Sequence, residues 1–190
     1  MSDLMFWVDL ETTGLNPEKD AILEIGFKVT DPQGSTVDQF SRVLRGTSGY
    51  YHDAIATAKL NPVVNDMHSS SGLWSDLESV NISTPFWTGF QETRDWIHDL
   101  VGDSKPPLCG SSVDFDRGFL NRHCPSLAAL FHYRVVDVSS ICEAMKYSNY
   151  SLWKRAEEEC ESRKIHRVIP DLVDSIGYWK WLCQNYLRTS

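Results

Sequence analysis

A chain of 190 residues with 42% hydrophobic side chains and a mean hydropathy of -0.32 can form one soluble domain with a substantial core. No apolar run approaches the roughly 20 residues that span a bilayer, and the first residues lack the basic start and apolar segment of a secretory leader. A net charge of -8 argues against a protein that grips long nucleic acid along a basic face, so a nucleic-acid ligand would have to be short or held where metal ions supply positive charge.

In chain order, the apolar run from Leu4 to Val8 predicts a buried strand that stops at Asp9 and Glu11. Thr12, Thr13 and Gly14 break it, with Gly14 free to take a positive φ. Ile22 to Thr30 reads as a second strand, Asp31-Pro32-Gln33-Gly34 as a turn, and Thr36 to Arg45 as a third strand of a meander. Glu24, inside the second strand, reads as an edge or solvent-facing acid. Gly46 to Leu60 is ambiguous, with a short helical run from Asp53 to Leu60. Asn61-Pro62 opens a short helix through His68, and Ser69 to Gly72 is a flexible loop. Ser75 to Pro85 has no clear period. Trp87 to Val101 is close to a helical period and ends at Gly102, with a short strand following around Leu108 and Cys109.

Further along, Asp114 to His123 reads as a helix, Tyr133 to Val138 as a strand, Ser139 to Lys146 as a helix and Ser151 to Ser162 as an acidic helix. Pro170 starts the last helix, whose stripe includes Leu172, Ile176, Trp179 and Leu182. The pattern is an α/β or α+β single sheet within one domain spanning residues 1–190. Five scattered cysteines without a C-x-x-C pair argue for a reducing cytoplasm rather than a disulfide framework. Most of the seven tryptophans read as core or interface residues, with base stacking the minority role.

Three places carry candidate chemistry. Side chains two apart on a strand share a face, so Asp9 and Glu11 can aim at one point, where a divalent cation would offset their repulsion and lost hydration. A D-x-E pair is also common at ordinary strand ends. Asp116 sits in the first turn of its helix, where it could bind a metal or simply complement the helix dipole. His166 and Asp171 flank Pro170. The proline pushes Ile169 towards extended geometry, leaving His166 in the approach loop and Asp171 in the first helical turn. From such a loop an imidazole can reach a carboxylate cluster, although a loop histidine is more often a surface residue.

The order of these signals is more informative than any one of them. FWVDLETTGL, GSSVDFDRGFL and HRVIPDLVDSI resemble the three motifs of the DEDD 3′–5′ exonuclease superfamily with a histidine-type third motif. HYRVVDVSS and HSSSGL resemble segments particular to oligoribonucleases, and the likeness runs from about Leu4 to about Tyr186. The resemblance implies an RNase H-like fold, with a mixed five-stranded sheet of order 3-2-1-4-5 flanked by helices. It implies two divalent metal ions, Mg²⁺ or Mn²⁺, on Asp9, Glu11, Asp116 and Asp171, with His166 as general base. It further implies that Leu15 wedges between terminal bases, that His68 and Ser112 hold the RNA, and that Ser139 lies near its 5′ end. In a homodimer, Tyr133 and Arg134 would reach in from the second subunit. As alternatives, Leu15 reads as a core residue and Tyr133 as a half-buried strand aromatic.

The implied activity is two-metal hydrolysis of short single-stranded RNA, down to dinucleotides, to 5′-mononucleotides. A histidine of ordinary pKa, about 6.5, suits the proton transfer near neutrality. The chain departs from the family pattern at Val63, where a tryptophan is usual, at Ser111 for an asparagine, at Cys142 for a lysine and at Pro170 for an acid. These changes bear on the preference for dinucleotides more than on catalysis. Two alternatives remain open at this level: an exonuclease trimming longer RNA or DNA ends, and a catalytically silent nucleotide-binding relative.

Overall fold

The computed structural model describes residues 4–160, 163 and 165–187. Its sheet is built from β1 (Met5–Thr12), β2 (Ile22–Thr30), β3 (Thr36–Arg45), β4 (Thr84–Pro85), β5 (Leu108–Gly110) and β6 (Val135–Asp137). Their spatial order is β4-β3-β2-β1-β5-β6. The β1–β2 and β2–β3 pairs are antiparallel, whereas β1–β5, β5–β6 and β3–β4 are parallel. The expected five-strand order is therefore present, with β4 as an added sixth strand. It consists only of Thr84 and Pro85, paired with Leu44 and Arg45. Two residues are too few to show alternation, and a proline is tolerated at a sheet edge.

Three helices, α1 (Gly49–Leu60), α2 (Pro62–Ser70) and α3 (Leu73–Glu78), follow the meander. After β4 come α4 (Phe86–Val101), then α5 (Val113–His123) and α6 (Pro125–Ala128) between the last two strands. The chain ends with α7 (Val138–Ser148), α8 (Tyr150–Glu159) and α9 (Val168–Asn185). The sequence assigned α1 from Asp53 only; the helix starts four residues earlier, at Gly49, capped by Ser48, which accepts a hydrogen bond from the Tyr51 N–H at 3.2 Å. The acidic helix stops at Glu159, and residues 161 and 162 of its expected span lie outside the described residues.

Alternation along β1 divides its side chains between two layers. Phe6, Val8 and Leu10 pack with Phe90 and Ile97 of α4 and Phe119 and Leu120 of α5. Trp7 packs with Leu172 and Ile176 of α9 and Met145 of α7. Burying each such large side chain contributes about 1.5–3 kcal/mol. A third cluster, including Leu23, Val43, Tyr51 and Leu73, seats α1 and α3 against the meander.

β2 is buried along its whole length, including Glu24. Glu24 is thus not a solvent-facing acid. It is paired with Arg167, a residue 143 positions away, which no local pattern reveals. Gly26 lies opposite Asp9 across the β1–β2 ladder. A Cβ there would come within 2.5 Å of Val168 Cγ2, so the missing side chain is what lets α9 lie directly on the sheet. That close approach carries the first turn of α9 to the end of β1.

Candidate active site

Asp9 and Glu11 stand on the α9 side of β1, and the strand continues past them to Thr12. The loop that follows is closed by Asp20, whose carboxylate accepts from Thr13 Oγ1 at 3.1 Å and from the Asn16 N–H at 2.9 Å. Gly14 does not have a positive φ. Its role is close approach, since a Cβ at Gly14 would lie 2.6 Å from the Asp20 carboxylate oxygens. This loop presents Leu15 at 84% exposure, which excludes the core reading for that side chain.

The last helix begins at Val168, two residues before Pro170. Ile169 is helical rather than extended. First-turn N–H groups have no intrahelical acceptor, so proline is accommodated there without breaking a bond. Asp171 lies in that turn, and His166 precedes the helix in the left-handed region at φ 56°. One ligand oxygen each from Asp9, Glu11 and Asp171 falls within 4.8 Å of the others. Asp116, buried in the first turn of α5, lies outside that trio but is the charge felt most strongly by Asp9.

Burial raises the proton affinity of all four carboxyls, and repulsion within the cluster adds to it at Asp9 and Glu11. Burial raises Asp9 well above the usual range, and repulsion from Asp116, Glu11 and Asp171 adds to it. Glu11 is pushed up to about 8 by burial and by Asp171 and Glu24, with Arg167 opposing. Asp116 is pushed up to about 8, chiefly by burial. Burial also raises Asp171, partly offset by neighbouring His166. Asp171 Oδ1 is buried and accepts no hydrogen bond. Four crowded acids with an orphaned oxygen form a donor set that suits hard divalent cations.

His68 is fully buried, with Nε2 2.8 Å from the Thr12 carbonyl and Nδ1 3.8 Å from Glu11 Oε2. Fully buried, it does not face the open site, and Nδ1 makes no hydrogen bond among the described residues. Ser112, at φ 56°, donates through its N–H to Asp137 Oδ1 at 3.0 Å, and its hydroxyl lies 3.2 Å from Ser139 Oγ. Asp137 also caps α7 by accepting from the Ser139 N–H at 3.0 Å. Tyr133 is 73% exposed and precedes β6, so it is not a half-buried strand residue. The Arg134 guanidinium lies 5.7 Å from the centre of its ring.

Residue-by-residue reading overlooked the group that fastens His166 and α9 in place. Arg167 donates to both oxygens of Glu24, at 2.8 and 3.1 Å, and its Nη1 lies 2.8 Å from Asp76 of α3. Glu24 is directly opposite Glu11 in the ladder. An acid within a mostly apolar strand was the available signal; its partner was not legible locally. Asp137, within the segment that supplied Ser139, was also missed.

Solved structures of exonuclease I share this architecture. One matches 98% of this chain and 42% of its own at a TM-score of 0.67 and 14% identity. Exonuclease I from Methylocaldum szegediense matches 97% of this chain and 41% of its own at a TM-score of 0.65 and 14% identity. The chain thus spans about two fifths of those proteins, and the likeness defines its fold as RNase H-like. The RNase_T exonuclease family model matches residues 6–176. An oligoribonuclease of Paraburkholderia xenovorans is 31% identical over 98% of this chain and 84% of its own length. One from Legionella pneumophila is 31% identical over 97% of this chain and 92% of its own. The chain belongs to the oligoribonucleases of the DEDD exonuclease superfamily, a class of 3′–5′ exoribonucleases.

Proposed function

We propose that this protein is a two-metal 3′–5′ exoribonuclease that hydrolyses short single-stranded oligoribonucleotides, down to dinucleotides, to 5′-mononucleotides. The observation that carries the reading is the convergence of Asp9, Glu11 and Asp171, with ligand oxygens within 4.8 Å, beside buried Asp116. These four carboxylates would hold the cations, Mg²⁺ or Mn²⁺. When bound, such ions neutralise the scissile phosphate and stabilise charge on the attacking and leaving oxygens.

The remaining roles belong to the chain itself. His166 takes the proton of the attacking water on its imidazole, from a loop held by Arg167. His68, bonded to the Thr12 carbonyl, holds the end of β1 that carries Glu11. Leu15, exposed at the mouth of the site, wedges between the terminal bases. Ser112 and Ser139, joined by Asp137, receive the 5′ end of the fragment. Tyr133 and Arg134 act across a homodimer, where the exposed ring stacks on a base and the guanidinium meets the terminal phosphate.

Dinucleotide hydrolysis measured with Mg²⁺, with Mn²⁺ and with EDTA, by wild type and by Asp9→Ala, tests the proposal. Metal-dependent release of mononucleotides by the wild type, falling to background in Asp9→Ala, is expected. Full activity in Asp9→Ala, or in EDTA, contradicts it.

A further inference from the structure

A cavity of about 360 Å³ lies outside the catalytic cluster, between the end of β3, the start of α1, the first turn of α4 and the end of α5. Five rings line it: Tyr50, Tyr51, Phe86, Trp87 and His123. Trp87 is 68% exposed, and it is the one exposed tryptophan of the seven. Two arginines complete the lining. Arg122 is held by Glu18 at 2.9 Å, whereas the half-buried Arg45 makes no ion pair or side-chain hydrogen bond among the described residues. In a chain of net charge -8, an uncommitted guanidinium beside exposed aromatic faces marks a site complementary to an anion carrying a planar ring.

We infer that this cavity binds a nucleotide unit, with its base against the aromatic wall and its phosphate on Arg45. The volume is within the roughly 300–1,000 Å³ of small-molecule sites, and stacking on aromatic rings tolerates any base. None of the lining residues belongs to the carboxylate and histidine set. The cavity and the catalytic mouth share a boundary, however. Ala21 lines the cavity and exchanges hydrogen bonds with Thr13, and Glu18 lies in the same loop as Leu15. Resting on the exoribonuclease reading, the inference allows two sources for that unit: a released mononucleotide, or an upstream nucleotide of an RNA longer than two residues.

Calorimetric titration of the full chain with AMP in EDTA tests the site directly. Wild type and Asp9→Ala are expected to bind AMP equally, and Arg45→Ala and Trp87→Ala about tenfold more weakly. Unchanged thermal midpoints in the two cavity variants show that the fold persists. AMP affinity indifferent to Arg45 and Trp87, or lost only in Asp9→Ala, overturns the inference. A second arm compares hydrolysis of a dinucleotide and a pentanucleotide. A raised KM for the pentanucleotide alone in Arg45→Ala identifies the upstream nucleotide as the occupant, and unchanged KM for both identifies the free product. If the wild type hydrolyses no RNA, the exoribonuclease reading fails while the AMP result still decides the inference.

Discussion

His166 owes its position to the backbone as much as to its chemistry. Left-handed φ is uncommon for a residue with a side chain, and structures retain it where the surroundings enforce it. The next residue, Arg167, is bound to Glu24 and Asp76, which anchors the chain immediately after His166. Replacing His166 with alanine is expected to lower kcat for dinucleotide hydrolysis by about 10²–10⁴-fold, the range for loss of a general base. A steady-state assay in Mg²⁺ checks this, and a loss below threefold would contradict the role. At this scale the sequence was informative, because carboxylates two apart on a strand and a proline between His166 and Asp171 constrain geometry locally. Glu24 was not legible in the same way: its burial depends on a guanidinium from the far end of the chain.

The start of α9 is where separate elements are locked together. Arg167 joins α9 to β2 through Glu24 and to α3 through Asp76, while Gly26 lets Val168 lie against the sheet. Arg167→Ala would leave Glu24 buried, without its cation and directly across from Glu11. A stability loss of about 2–3 kcal/mol is expected from stranding a largely buried charge. Adding Glu24→Gln to Arg167→Ala should recover part of it, and denaturant unfolding of the single and double variants measures both. A loss under about 0.5 kcal/mol in Arg167→Ala would mean that the pair does not secure the helix. The long strands and α9 were legible because apolar periodicity reports a buried face. The early part of α1 and the two-residue β4 were not: α1 buries only Tyr51, Ala54 and Ala58, and β4 is defined by pairing with distant β3.

Across the whole molecule, the carboxylate cluster couples stability to protons and metal. Glu11 rises from 4.5 to about 8 on folding, and Asp116 from 3.8 to about 8. Both bind protons more tightly in the folded state, so their contribution is complete below about pH 4 and is lost as pH rises through about 8. In EDTA the thermal midpoint is therefore expected to decline from about pH 5 to 8. Divalent cations bind the ionised carboxylates, so the stabilisation that Mg²⁺ confers should be larger at pH 8 than at pH 6. Scanning calorimetry with and without Mg²⁺ checks the sign, and a metal effect that shrinks with rising pH would contradict the account. The acidic overall charge agrees with this arrangement, because positive charge for the phosphate would come from the cations and a few arginines rather than from a basic face.

The most direct test of the central claim follows 5′-labelled RNA of two, three, five and twenty nucleotides through hydrolysis in Mg²⁺. Loss of single nucleotides from the 3′ end is expected, with the dinucleotide consumed fastest and the twenty-nucleotide RNA slowest. Cleavage that favours the twenty-nucleotide RNA and leaves the dinucleotide intact would contradict it.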